Sequence, residues 1–338
     1  MKVPLYNIDP SAITAAQTNL IALGNTATGG TVTYSGNYRI HTFTGSGTFT
    51  AAHTGYIEYL CIAGGGGGGG GQFNPNPYTT SIGGGGGAGG YLEHYASSAI
   101  GTNFQGPRIY VNAGDTVTVV VGGAGASNAG SSISGNLAIP PASGTDSYIL
   151  NTVSNVGVVS YGGGAGGHGY QSGTNNTSTG PLNGKIGGSG GGGASWSGQM
   201  NSTSVSLYGI GASGIGEYGS STKQGYSGGD SQYYGGGAGG SGQGATTSSA
   251  SNYKEANNGR SSSITGASVT YSAGGGRKVY AQDLNYFATV NSGNGGAGGT
   301  PGQNAQAVSG SNGLTAPEWY MSGKSGGSGI VIIRYRFQ

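Results

Sequence analysis

Charge is scarce in this chain. Asp, Glu, Lys and Arg make up 7% of its 338 residues, and the net charge is +2. There is no basic patch to hold nucleic acid and no Lys/Arg cluster to seat the chain on a membrane surface. Cysteine is nearly absent, and Cys61 alone cannot build an internal disulfide framework. No run of about 18 apolar residues occurs, so no helix is expected to insert into a bilayer. The opening MKVPLYNIDP lacks the apolar core of a secretory signal, because Pro4, Asn7, Asp9 and Pro10 break it. Synthesis in a cytoplasm, without export by that route, is the expectation. Proline is sparse as well, at 10 residues. The glycine register resets between blocks, which argues against collagen and its unbroken Gly-X-Y repeat.

Glycine is abundant, at 80 residues, and it is clustered. It falls in blocks at 64–71, 83–90, 162–169, 184–193, 235–244, 293–302 and 323–329. Gly184, Gly187, Gly190 and Gly193 hold one phase at period three, as do Gly293, Gly296, Gly299 and Gly302. Polyproline-II helices turn once every three residues and have no internal hydrogen bonds. A glycine on each turn leaves a bare face, so neighbouring backbones can approach and bond chain to chain. Such a glycine content is also compatible with low-complexity disorder. The 23 tyrosines, the 2 tryptophans and the low charge favour an ordered fold.

β-branched and aromatic runs flank the blocks. Tyr38–Thr44, Thr48–Thr50, Tyr56–Ala63, Tyr148–Leu150, Val156–Tyr161 and Ile330–Phe337 read as strands. Arg108–Val111 and Thr116–Val121, around Ala113-Gly114-Asp115, read as a hairpin. The expected fold is an all-β platform carrying a bundle of glycine-rich polyproline-II helices. Very little α-helix is expected beyond one short N-terminal helix. There Asp9 suits a cap, Pro10 a first turn and Gly24 a stop, with Ile13, Ala16, Leu20 and Leu23 between. Such a helix could pack on its own domain or serve for docking. The glycine-poor composition of 1–35 favours an attachment segment, ahead of a glycine-rich β/polyproline-II domain at 36–338.

Motifs that suggest chemistry are weak. Gly-x-Ser-x-Gly at 187–191 and 225–229 is expected by chance in so much glycine, and no strand-turn-helix context surrounds it. His41, His53, His94 and His168 lie far apart, with no Cys or acid at ligand spacing. The 10 acidic residues show no cluster in the loops to supply the carboxylate pair of a glycan-cleaving enzyme. No enzyme, cofactor or metal is expected. A recognition composition remains, because the segments between blocks are rich in Tyr, Ser, Asn and Thr and hold both tryptophans. Tyr and Trp give large contact area at low entropic cost, and Ser and Asn give adaptable hydrogen bonds.

Two stretches carry a resemblance. One is Ile40–Thr50 followed by Leu60-Cys61-Ile62-Ala63-Gly64-Gly65-Gly66, and the other is Gly326–Tyr335, with Gly87-Ala88-Gly89-Gly90-Tyr91 between them. Together they resemble the glycine-rich domain of bacteriophage tail fibre and receptor-binding proteins, similar in principle to the tip adhesin of T-even-type phages. The resemblance implies polyproline-II helices rising from a β base, with loops at the far end touching the bacterial surface. It implies a virion adhesin of the tail or fibre, made in the host cytoplasm and placed in a homo-oligomeric or larger assembly. Residues 1–35 would then join other tail or fibre proteins. A purely structural fibre segment, cap or decoration is the alternative. If loops alternate between the two ends, 72–82, 245–273 and 303–322 fall at the distal end and 277–292 at the base. Loop 194–208 joins the distal set only if 209–229 is one helix. The expected receptor contacts are Phe73, Tyr78, Tyr253, Trp319 and Tyr320, with Trp196 added on that condition.

Overall fold

A computed structural model describes residues 26–75, 78–95, 104–127, 140–168, 182–200, 203–208, 210, 212–214, 222–230, 239–240, 258–276, 288–299, 319–321 and 323–337. The expected N-terminal helix and Tyr253 lie outside these residues. Among the described residues there is no α-helix.

The platform is built from the strand-forming runs. A six-stranded sheet places β1 (Thr31–Ser35), β2 (Tyr38–Phe43), β17 (Ile330–Arg336), β4 (Gly55–Ile62) and β7 (Tyr91–His94) in that order, and β8 (Ile109–Val111) also pairs with β4. A four-stranded sheet runs β11 (Val156–Ser160), β10 (Ser147–Asn151), β9 (Thr116–Val120), β3 (Gly47–Thr50). Strand alternation sorts the side chains. Tyr59, Cys61, Val331 and Ile333 pack with Phe49, Val117, Val119 and Ile149 between the two sheets. Leu60, Ile62, Ile330 and Ile332 face the other way and are covered by Ile264 and Tyr271. With both faces covered, β4 and β17 can be nearly continuous apolar runs. Each fully buried Ile or Phe contributes about 1.5–3 kcal/mol. Burial also pushes the Cys61 thiol and the Tyr59 hydroxyl far above their usual pKa values.

One expectation is corrected here. Residues 108–121 do not form a hairpin: β8 pairs with β4, whereas β9 pairs with β10 and β3. The turn exists, with Gly114 at φ 90°, but it is a corner that passes the chain from one sheet to the other. Asp115 holds it, its carboxylate accepting from Asn112 N–H at 2.9 Å and from Asn151 Nδ2 at 3.0 Å. The body also reaches back beyond residue 36. β1 pairs along its length with β2, and Ala27 is buried in the core.

Above the platform the glycine segments run as parallel and antiparallel rods. Rod 64–70 shows the rule. Gly64 and Gly67 donate to Thr145 and Ala142, Gly65 and Gly68 to Gly327 and Lys324, and Gly66 and Gly69 to Gly87 and Gly84, at 2.8–3.1 Å. Positions three apart meet the same neighbour, so the rod turns once per three residues, as polyproline-II does. The carbonyls of Gly64 and Gly67 accept from Gly163 and Gly166, those of Gly66 and Gly69 from Gly296 and Gly299, and that of Gly65 from Gly125. Rod 64–70 is thus enclosed on every side. A Cβ on Gly66 would lie 2.2 Å from the Gly164 carbonyl oxygen, and one on Gly67 1.9 Å from that of Ala126. The unbroken glycine run follows from that enclosure. Rods of the form Gly-Gly-Ala-Gly-Gly leave a third face with room for one methyl, occupied by fully buried Ala88 and Ala165.

Rod direction settles where the loops fall. Rod 64–70 climbs from β4, and 83–90 descends to β7. Block 184–193 is not the single rod its period suggested. Gly191 N–H donates to Lys185 O and Ala194 N–H to Leu182 O, so the chain reverses near 187–189 between two antiparallel rods. Stretch 209–229 is likewise two crossings: 210–214 lies antiparallel and 226–229 parallel to 190–193. The part of 245–273 that is described lies at the base and not distally. Strands β14 (Arg260–Ser262) and β15 (Val269–Tyr271) form a hairpin. Ile264 and Tyr271 in that hairpin cover the platform, and Arg334 Nη1 donates to Ile264 O at 2.8 Å. The physical reason is apolar cover: the second face of the sheet needs it, and 260–271 supplies it.

Candidate recognition surface

The rods that leave the platform end in a second sheet. Rod 64–70 continues into β5 (Gly71–Pro75), and β6 (Tyr78–Ile82) leads back into rod 83–90. Rod 189–194 continues into β12 (Ser195–Met200), followed by β13 (Thr203–Tyr208), and β16 (Trp319–Met321) precedes rod 323–329. These strands form one five-stranded sheet in the order β13-β12-β6-β5-β16. Rods define it: each strand continues or precedes a rod already fixed by backbone bonds, so the strands arrive side by side. The join is tight. Ser81, Ile82, Ala194 and Ser195 are buried, and a Cβ on Gly71 would lie 2.6 Å from the Gly299 carbonyl oxygen.

Most of the sequence-predicted residues come together on this sheet. Trp319 stands opposite Phe73 and Tyr320 opposite Gln72. Tyr78 stands opposite Pro75. Trp196 pairs with Ser81 on one side and Leu207 on the other. The segments 72–82, 194–208 and 319–321 therefore share one end of the molecule, remote from the platform. Trp196 is there although 209–229 is not a single rod, because the chain crosses the lattice twice between them. Tyr253 lies outside the described residues.

The chemistry of these strands is neutral. GQFNP, YTTSI, SWSGQM, TSVSLY and WYM contain no Asp, Glu, Lys, Arg or His. Their sequence supplies aromatic rings, hydroxyls and amides. Two of the platform's carboxylates are committed to internal partners. Tyr91 Oη donates to Glu93 Oε2 at 2.7 Å, and Arg334 Nε to Glu58 Oε2 at 2.7 Å. Burial lowers the pKa of His41, whose Nδ1 pairs with Gly29 O, and that of His168, where Lys185 adds to the effect. Among the described residues no group of His, Cys, Asp and Glu could hold a metal ion.

Sequence reasoning missed the Ser/Thr strands β6 and β13, which lack the alternation of apolar residues that marked the platform. It also missed an exposed set of Tyr and Arg at the platform's far end. Those residues are scattered from Tyr34 to Phe337 and read locally as ordinary strand positions. No curated protein and no solved structure matches the chain. A family model described as a glycine-rich domain matches residues 41–336, nearly the whole of the platform and lattice, and the chain belongs to that family.

Proposed function

We propose that the protein is a non-enzymatic phage virion component of the tail or tail fibre, and that its distal sheet binds the host surface receptor. One observation carries the reading: Phe73, Tyr78, Trp196, Trp319 and Tyr320, far apart in sequence, occupy one sheet at the end remote from the platform. Aromatic anchors among hydroxyl and amide groups suit the recognition of a neutral glycan or protein loop. The lack of any carboxylate in those strands supports binding over glycan cleavage, which needs two carboxylates. The resemblance of the opening and closing motifs to tail-fibre glycine-rich domains supplies the setting.

Trp319→Ala tests the reading. Truncating an aromatic hot spot costs about 2 kcal/mol or more, so adsorption of particles to host cells should fall ~30-fold. The melting temperature and particle assembly should stay as in the parent. Full adsorption by a folded variant would overturn receptor contact at this position and favour a purely structural virion part.

A further inference from the structure

The end of the platform opposite the distal sheet carries arginines laid on aromatic rings. In one group, Arg108 lies 3.9 Å above the Tyr56 ring, and Tyr110 meets Tyr56 edge-on at 5.1 Å. In a second, Arg39 lies 5.8 Å over Tyr34, which packs edge-on against Phe337 at 5.5 Å. Arg336 lies 5.7 Å over Tyr38 at the same strand ends. A cavity of about 150 Å³ opens among them, lined by His53, Tyr56, Ile57, Val111, Tyr335 and Arg336 with their neighbours.

These rings are not covered: Tyr34 is 58% exposed, Tyr56 52% and Tyr110 45%. Nor are the cations matched. Among the described residues Arg39, Arg108 and Arg336 have no carboxylate partner, and the Nε of Arg39 is buried without a hydrogen bond. The acids nearby are engaged: Glu58 with Arg334, Glu93 with Tyr91, and Asp115 with Asn112 and Asn151. Arg and Tyr around a small apolar cavity are what the centre of a protein interface requires.

We infer that this end of the platform docks a different protein, one whose surface presents carboxylates around an apolar anchor that enters the cavity. The chain's own N-terminal segment is a poor occupant. The described chain begins near the cavity, since Thr28 bridges Thr50 and Ala51 lines the cavity, but residues 1–25 bring one carboxylate, Asp9. A second copy is poor as well, because the platform acids are already bonded. Nucleic acid would need a longer cationic track than three arginines in a chain of net charge +2. The surface lies at the opposite end from the distal sheet, so the inference stands apart from what that sheet binds.

The test uses the full chain and a fluorescein-labelled decaglutamate peptide, read by anisotropy at low salt. The peptide should bind, and binding should weaken as salt screens the contact. Arg108→Glu and Arg336→Glu, both at exposed positions, should each weaken it by ~10-fold or more with unchanged melting temperature. Lys185→Glu, on an exposed lysine of the lattice, should leave it unchanged. Three results would overturn the inference: no decaglutamate binding, equal loss in Lys185→Glu, or tighter binding of decathymidylate that the same arginine variants abolish.

Discussion

At the scale of the residue, glycine serves this molecule by what it lacks. Among the described block glycines only Gly293 has positive φ, at 68°. The others avoid positive φ, and for most of them a neighbour's carbonyl stands where Cβ would be. The count of glycines per three residues therefore reports how many faces of a rod are packed. A pair of substitutions separates this from general flexibility. Gly66→Ala puts a methyl 2.2 Å from the Gly164 carbonyl oxygen, while a Cβ on Gly45 meets nothing within 4 Å. Gly66→Ala should cost about 3 kcal/mol or more through overpacking, and Gly45→Ala about 0.5 kcal/mol or less. Denaturant melts of the two check this, and equal stabilities would refute the packed-face account. This much was legible in the sequence, since period three is a local signal. The side chains Ala88 and Ala165 were legible only in part. Their phase is visible, but the size of the space they fill depends on rods elsewhere in the chain.

At the scale of the element, the strands that sequence pattern identified are those with apolar residues on buried faces: β2, β3, β4, β8, β9, β10, β11 and β17. The distal strands were not legible, because they lack a sustained alternation of apolar residues and their partners are brought by the rods. Nor was rod direction. A glycine phase reads the same in either sense, so the reversal within 184–193 and the base position of 260–271 leave no local mark. β1 is the element with the most practical consequence. Its residues Thr31–Ser35 pair from Thr31↔Thr42 to Ser35↔Tyr38 at the edge of the large sheet. Removal of residues 1–25 should leave a body with the parent's melting temperature. Removal of 1–35 takes away β1 and the buried Ala27, and bares the edge of β2, which is a template for unwanted pairing. That shorter chain should melt at a lower temperature and aggregate on concentration, as read by calorimetry and light scattering. Identical behaviour of the two truncations would show that β1 is dispensable.

At the scale of the whole molecule, stability should depend on acid through buried groups. His41 and His168 are buried and held below the ordinary histidine value, His41 chiefly by burial and further by Arg39, His168 by burial and Lys185. The unfolded chain therefore takes up their protons more readily than the folded one. Their contribution is intact above about pH 6.5 and is lost as pH falls below it. Asp115 is also held low, by the Asn112 N–H first and then by Asn151, so its contribution is present above the ordinary Asp value and fades only in stronger acid. The melting temperature should fall between about pH 7 and about pH 5, and a His41→Gln, His168→Gln double variant should lose most of that fall. An undiminished fall in the double variant would refute it. β17, from residues 330–336, lies in the large sheet between β2 and β4, which come from residues 38–62. Rod 64–70 likewise takes bonds from segments as late as 296–299 and gives them to 324–327. On the ribosome β2, β4 and the first rod must wait, each with one side open, until residues 324–336 emerge. A message cut short ahead of β17 thus yields no smaller working version, because neither the sheet nor the first rod can close without residues 324–336.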